Sequence, residues 1–459
     1  MSTLDVTIVN ISLPTMSQDF GVSSAEVSWV IMAYLLIMCS FLPAFGRLGD
    51  IIGYRAIFSA GYLVFIIGSF LCGISENIGL LIGSRLIQGT GASMLSALTS
   101  AIVMTSLPLK ERGRGLGIIA MFASLGLALG PVIGGYITTS LTWHWIFFIN
   151  VPVGIAGLLI ALHTVRGTVM AGDARFDAWG AVLIFFTLLG FIFLLNQGRI
   201  LGWTSPLIIG VCAGSLIFLY LFIRRETTIS YRIFNVALFR ARDFLFANIS
   251  SFLMMLAFSG VLFALPFYLE LSRGFSAEKS GLILAIPSVA IVVMGPLMGS
   301  LTDRIGSKIP CTVSAAAMCA GFFIMAFYGI GGPFPVFCFG LLLIGVGVGG
   351  FIPSNSVLVM MLAPRSESGA VSSMMLTIRN TGSTFGVAVF EAVFAFVVFS
   401  LAGNTVADIR EMPPGLFIEG FSVTFFAGML ISAAALAVIL VTRNVIPDPT
   451  TREMVSEGF

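Results

Sequence analysis

Charge is what this chain has least of. Asp, Glu, Lys and Arg make up 10% of its 459 residues, against about 25% in soluble globular domains. With 58% of the residues hydrophobic, the composition fits a bilayer as solvent rather than water. The net charge is only +2, which gives no electrostatic footprint for nucleic acid. Histidine is nearly missing: only His144 and His163 occur. The six cysteines (Cys39, Cys72, Cys212, Cys311, Cys319 and Cys338) are scattered through apolar runs without CxxC spacing, which argues against disulfides, a metal cluster or haem. No GxxxxGK[ST] loop is present to cradle nucleotide phosphates, and no nucleophile constellation stands out. An ATP-driven pump and an enzyme are both disfavoured, and no metal or cofactor is expected.

Long apolar runs dominate instead. A spanning helix needs about 20 mostly apolar residues. After a short first run over LDVTIVNISLP, further runs cover 27–45, 57–74, 78–107, 115–138, 145–163, 178–196, 206–223, 244–269, 280–301, 309–330, 334–363, 370–401 and 417–442. These predict an all-α membrane protein of fourteen transmembrane helices. With a cytoplasmic amino terminus, seventeen of the 23 Lys and Arg fall in or beside cytoplasmic segments. Arg199, Arg273, Lys279 and Arg410 fall outside, and Arg85 and Arg379 lie within spans. That asymmetry predicts both termini in the cytoplasm. None of the runs resembles a cleaved signal peptide.

A motif occurs twice. Gly46-Arg47-Leu48-Gly49-Asp50-Ile51-Ile52-Gly53-Tyr54-Arg55 follows the second span, and Gly299-Ser300-Leu301-Thr302-Asp303-Arg304-Ile305-Gly306-Ser307-Lys308 follows the tenth. Both read G-x-L-x-D-x-x-G-x-[RK], the mark of two homologous six-helix bundles. Residues 1–166 form the first, 167–243 an inserted pair of spans with linkers, 244–443 the second, and 444–459 a cytoplasmic tail.

The stretch Gly117 to Gly135, GIIAMFASLGLALGPVIGG, carries Gly117, Gly126, Gly130, Pro131, Gly134 and Gly135 in one apolar helix. Small residues let a neighbouring helix approach closely, and a proline frees a carbonyl that neighbours must satisfy. A helix-packing seam is one sound reading. The spacing G-x8-G-x3-GP-x2-GG also resembles the antiporter motif of the major facilitator superfamily. With LDVTIVN, the Gly46–Arg55 loop, RLIQGTGAS from Arg85, and WHWIFFINVPVG from Trp143 in the same order, the chain resembles the fourteen-span drug:proton antiporters (EmrB/QacA-type). The resemblance covers nearly the whole chain. It lacks the front half of the first span, since only Met1, Ser2 and Thr3 precede Leu4; either the first span is short or the start codon is misassigned. Ile51 and Tyr54 stand where the family often has a basic residue, and His144 where it often has arginine.

The resemblance implies a proton-coupled exporter of amphipathic or cationic compounds across the cell membrane, powered by the proton gradient. Its partners are a small amphipathic substrate, protons and membrane lipid, with a periplasmic adaptor if the host has an outer membrane. Coupling needs groups that change charge inside the membrane, and ionisable residues in spans are costly enough to be functional by default. Asp5, about 20 Å from the outer end of its span at 1.5 Å per residue, is one candidate; a carboxylate at the inner interface is the alternative. Glu391 in the thirteenth span is the other; it carries the proton, attracts a cationic drug or bonds a neighbouring helix. Arg85 and Arg379 keep their charge, so they act by pairing with an acid, or Arg379 as a structural arginine beside Asn380. The resemblance assigns Gly46, Asp50, Gly53, Arg55, Asp303, Arg304 and Lys308 to a gating loop. Substrate residues are not located by the motifs, although Phe252, Met254, Met255, Phe258 and Phe263 offer a deformable apolar surface. Export of one specific metabolite, lipid or siderophore is an alternative, as is a transporter-like sensor without turnover.

Overall fold

A computed structural model describes residues 2–106, 112–165, 177–229, 236–330, 332–363, 368–402 and 414–443. All regular structure in them is helical. The helices run α1 Ser2–Phe20, α2 Ser24–Ile52, α3 Tyr54–Gly73, α4 Ile78–Ser106, α5 Arg112–Ser140, α6 Trp145–Phe148, α7 Asn150–Thr164, α8 Ala178–Leu201, α9 Pro206–Thr228, α10 Arg242–Phe267, α11 Ala277–Ile305, α12 Lys308–Ile324, α13 Phe334–Leu362, α14 Ser368–Ala402 and α15 Pro414–Val441. Short π-helical turns extend α10 over Tyr268–Ser272 and α12 over Met325–Gly329.

Twelve helices among the described residues are long and apolar enough to cross a membrane, with α6 and α7 counted as one. That is two fewer than the fourteen expected, and the two outside the count are α1 and α5. In α1 the reason is chemical: Asp5, Thr7, Asn10 and Ser12 fall within its 19 residues and lower its hydropathy. In α5 several side chains lie outside the described set. The other runs coincide with helices whose ends lie up to seven residues from theirs, except that the run from 145 breaks at Ile149.

Local chemistry explains many of the ends. Ser23 and Glu26 form a reciprocal capping box at the start of α2, which satisfies two of the amides a helix start leaves open. Ser205 caps α9 ahead of Pro206, and Ser276 caps α11. The repeated motif folds the same way twice. Gly53 has φ +104° and donates its N–H to the Gly49 carbonyl at 2.9 Å, while Gly306 has φ +87° and donates to the Thr302 carbonyl at 2.9 Å. Side chains rarely adopt that backbone conformation, so the second motif glycine is what lets each chain copy turn into its next helix.

Packing follows the same correspondence. In the first part α2 and α3 pack on α4, α1 on α5 and α3 on α7; in the second, α11 and α12 pack on α13, α10 on α14 and α12 on α15. The two parts meet where α5 lies along α11, α2 along α14, and α1 touches α10. The pair α8–α9 packs together, with α8 seated against both α2 and α14. Its far end is stapled: Asp177 accepts from the Gly180 amide at 2.9 Å and from Arg225 Nε at 2.7 Å. Large apolar side chains such as Phe122, Leu159, Ile160, Trp179 and Tyr220 are about 60% exposed or more, as a multi-pass membrane protein requires of its lipid-facing surface.

Candidate functional site

The polar residues of α1 are turned into the protein. Asp5 lies in the first turn of α1 and is 0% exposed, so its carboxylate is enclosed by protein. Arg85 Nη1 of α4 meets Asp5 Oδ2 at 2.5 Å. Gln88 Nε2 and Asn150 Nδ2 each donate to Asp5 Oδ1 at 2.9 Å. Gln88 sits three residues beyond Arg85 on one face of α4, which is the neighbour spacing of a helix, and its Oε1 accepts from Arg85 Nη1 at 2.6 Å. Its amide also donates to Ser69 Oγ of α3 at 2.9 Å. Arg85 Nε donates to the Val30 carbonyl of α2 at 2.9 Å, and its guanidinium stacks 4.2 Å from the Tyr34 ring centroid. One carboxylate therefore ties together α1, α4 and α7, and its arginine ties in α2.

A buried ion pair is held in place by the cost of breaking it: removing one partner strands the other charge at about 3–5 kcal/mol. Adding a proton to Asp5 would cancel that attraction without removing an atom. Arg85 Nη2 and the Tyr34 hydroxyl, both buried, have no hydrogen-bond partner among the described residues. The cluster thus has unused donor capacity for an alternative arrangement once the pair loosens.

The glycine face of α5 is what brings α1 this close. A Cβ at Gly126 would stand 3.3 Å from the Leu4 amide nitrogen, one at Gly130 would collide with Thr7 Oγ1, and one at Gly134 would lie 2.8 Å from the Ile8 carbonyl. These three, four residues apart, form the face against α1. Gly135 points elsewhere, where a Cβ would strike the Ala277 carbonyl of α11, and Gly281 of α11 faces the Pro131 carbonyl in return. The motif therefore serves two neighbours, and α5 continues through Pro131 as one helix. Gly117 lies in the same helix, but side chains around it are outside the described residues.

The remaining predicted residues occupy other places. Glu391 of α14 is 1% exposed, and its Oε2 accepts from Asn196 Nδ2 of α8 at 3.5 Å. Arg379 is twelve residues earlier on the same helix, about 18 Å away. It joins α14 to α10 and α13 by donating to Ser251 Oγ at 3.4 Å, the Ile352 carbonyl at 3.1 Å and Ser356 Oγ at 2.7 Å. Among the described residues it has no carboxylate partner, which fits a hydrogen-bonded arginine and gives no support to an acid-paired one. Buried Asn355, next to Ser356 in the sequence, leaves both side-chain polar atoms without a partner among the described residues.

In the first copy of the loop motif, Arg55 donates to the Leu162 carbonyl at the last turn of α7 at 2.7 Å, a contact inside the first part of the chain. Gly46 stands near Ala97, where a Cβ would be 4.0 Å from that residue's own Cβ. Arg304 is exposed and Lys308 opens α12 half-buried. The Asp50 and Asp303 side chains lie outside the described residues. Met254, Met255, Phe258 and Phe263 of α10 are buried in the packing, with Phe252 partly so.

Three contributors went unnamed in the sequence reading. Gln88 and Asn150 lie inside motifs already noted, RLIQGTGAS and WHWIFFINVPVG, and an amide in an apolar run was the available signal. Asn196 ended a run and was passed over as a boundary. Glu270, in the π-helical turn after α10, was also missed; its Oε1 is buried without a hydrogen-bond partner.

A family model for the Major Facilitator Superfamily matches residues 1–387. The riboflavin transporter RibZ of Clostridioides difficile is 32% identical over 396 residues, 86% of each chain. The multidrug transporter protein MdtP of Bacillus subtilis is 30% identical over 89% of this chain and 74% of its own length. The methylenomycin A resistance protein of the same organism is 32% identical over 85% and 84%. Among solved structures, a peptide transporter of the POT type aligns with TM-score 0.65 at 14% identity, covering 95% of this chain and 91% of that one. A bacterial homologue of the lysosomal transporter Spinster aligns at 0.63 and 15%, covering 96% and 93%. Helices, repeat and relatives agree: this chain belongs to the major facilitator superfamily, as a membrane transporter and not an enzyme.

Proposed function

We propose that the chain is a proton-coupled antiporter that exports amphipathic or cationic compounds, of the fourteen-span drug:proton type. In this reading α1 and α5 cross the membrane with the twelve more apolar helices, both termini are cytoplasmic, and the Ser24 end of α2 faces outward. Two six-helix bundles rock about a central site while α8–α9 form the insertion, and no cofactor takes part. The observation that carries the reading is Asp5, sealed beside the glycine face of α5 with Arg85, Gln88 and Asn150 upon it. A proton arriving at Asp5 weakens its hold on Arg85, and through the Val30 carbonyl that change reaches α2, which packs on the second bundle. Glu391 is the second acid on that interface. The relatives named for multidrug transport and antibiotic resistance support the substrate class.

A second reading has an observation of its own: the relative named as a riboflavin transporter is 32% identical, so the substrate is one specific metabolite. A pump-deficient bacterial host expressing the chain separates the two. The first reading predicts raised tolerance to several unrelated cationic dyes and drugs, abolished by an uncoupler. Unaltered tolerance across such a panel, with altered cellular flavin, would favour the second.

A further inference from the structure

We propose that the inserted pair α8–α9 is part of the gate, acting through Asn196 as a positioning residue that fastens α2 to α14 beside Glu391. Asn196 is 4% exposed although it lies near the end of an apolar inserted helix. Its Oδ1 accepts from Trp29 Nε1 of α2 at 3.0 Å and from Gln197 Nε2 at 2.8 Å. Its Nδ2 lies 3.1 Å from the Ala25 carbonyl, 3.2 Å from Ser28 Oγ and 3.5 Å from Glu391 Oε2. Three of these contacts are to one turn of α2, so they set the plane of the amide and present its N–H to α14. An insertion serving only as a lipid-facing appendage needs no such residue, because a buried amide is costly unless bonded. Those α2 contacts also adjoin the first cluster: Trp29, held by Asn196, precedes Val30, whose carbonyl holds Arg85 Nε. One turn of α2 thus stands between Asp5 with Arg85 on one side and Asn196 with Glu391 on the other. The Asp177–Arg225 pair staples the opposite end of the insertion, so α8 moves with α9 as a hairpin.

The inference rests on the antiport reading for its direction, since it takes the Ser24 end of α2 to be external. The full-length protein in proteoliposomes tests it, with a reporter cysteine at Ala388→Cys, 0% exposed and three residues before Glu391. A membrane-impermeant maleimide is added outside, and labelling is read above that of the native cysteines. Asn196→Leu, near in shape but without polar atoms, is expected to speed labelling about fivefold, the population change that one net hydrogen bond represents. Uphill accumulation falls while the substrate KM changes by less than about twofold, since the residue does not touch substrate. Asn196→Asp also speeds labelling, and adding Glu391→Gln, which restores a donor facing an acceptor, slows it again; a general folding defect would not reverse in this way. Unchanged labelling in Asn196→Leu, or no recovery in the exchanged pair, overturns the proposal. Its failure is separable from that of the antiport reading: faster labelling in Asn196→Leu, together with undiminished uphill transport in Glu391→Gln, keeps the gate and removes Glu391 as a coupling acid.

Discussion

Two buried carboxylates, Asp5 and Glu391, are equally hidden and differently held. Asp5 faces a guanidinium at 2.5 Å and two amides at 2.9 Å. Glu391 faces the neutral amide of Asn196 at 3.5 Å. The first is a tight, charge-assisted arrangement that ties helices of the first bundle to one another. The second is a long contact to Asn196 of α8, three of whose other four bonds go to α2, so it links α14 to α2 where the two parts of the chain meet. On the proposed antiport mechanism, a proton on Asp5 would rearrange one set of helices from within, whereas a change at Glu391 would act on the seam.

The sharpest way to break this contrast is Arg85→Ala. It strands the Asp5 carboxylate, and the loss of one partner from a buried pair is expected to cost about 3–5 kcal/mol, read by thermal unfolding of the purified protein. A variant as stable as the wild type would mean that the pair holds nothing together. Next in size is Gly130→Val, which drives side-chain atoms into Thr7 on α1; overpacking of this kind costs about 1–3 kcal/mol and should also displace Asp5. Gly210→Ala is its control, because a Cβ there meets nothing within 4 Å, and its melting point should stay put. The repeat offers a smaller and more symmetrical comparison. Gly53→Ala and Gly306→Ala place a side chain at positive φ, each losing about 1–2 kcal/mol; very unequal losses would show that the two loops are not structural equivalents. Smallest in stability is Glu391→Gln. An amide in place of this carboxylate should cost within about 1 kcal/mol, while uphill transport falls sharply. A large stability loss there would make Glu391 a structural anchor like Asp5.

The legible part of the molecule was that written in spacing. Glycines at 126, 130 and 134 announce a bare helix face, and the face is there, filled by α1. The doubled loop motif announces a repeat, and both glycines turn the chain in the same way. Asp5 and Arg85 were legible as costly residues needing partners, and they found each other across 80 positions. What spacing does not carry is which neighbours turn toward a charge. Gln88 and Asn150 complete the Asp5 shell because α4 and α7 pass α1 at the same height, a fact of tertiary packing. For Arg379 the sequence leaves two roles open, partner of an acid or structural arginine, and only packing shows that serines and a main-chain carbonyl bond it. Asn196 was invisible for a related reason: a polar residue near the end of an apolar run usually marks the membrane surface. Here α8 is wedged between α2 and α14, so the end of the run is interior. At α1 composition and burial part company: its hydropathy is low, and yet its polar side is buried.

The central claim is that acid groups inside the protein drive the cycle, and reconstituted vesicles test it most directly. With the lumen made acidic, wild-type protein should accumulate a substrate from the susceptibility panel against its gradient, and an uncoupler should collapse that accumulation. Asp5→Asn and Glu391→Gln should abolish accumulation and retain some downhill exchange. Accumulation that ignores the uncoupler, or that survives in both variants, would contradict the account.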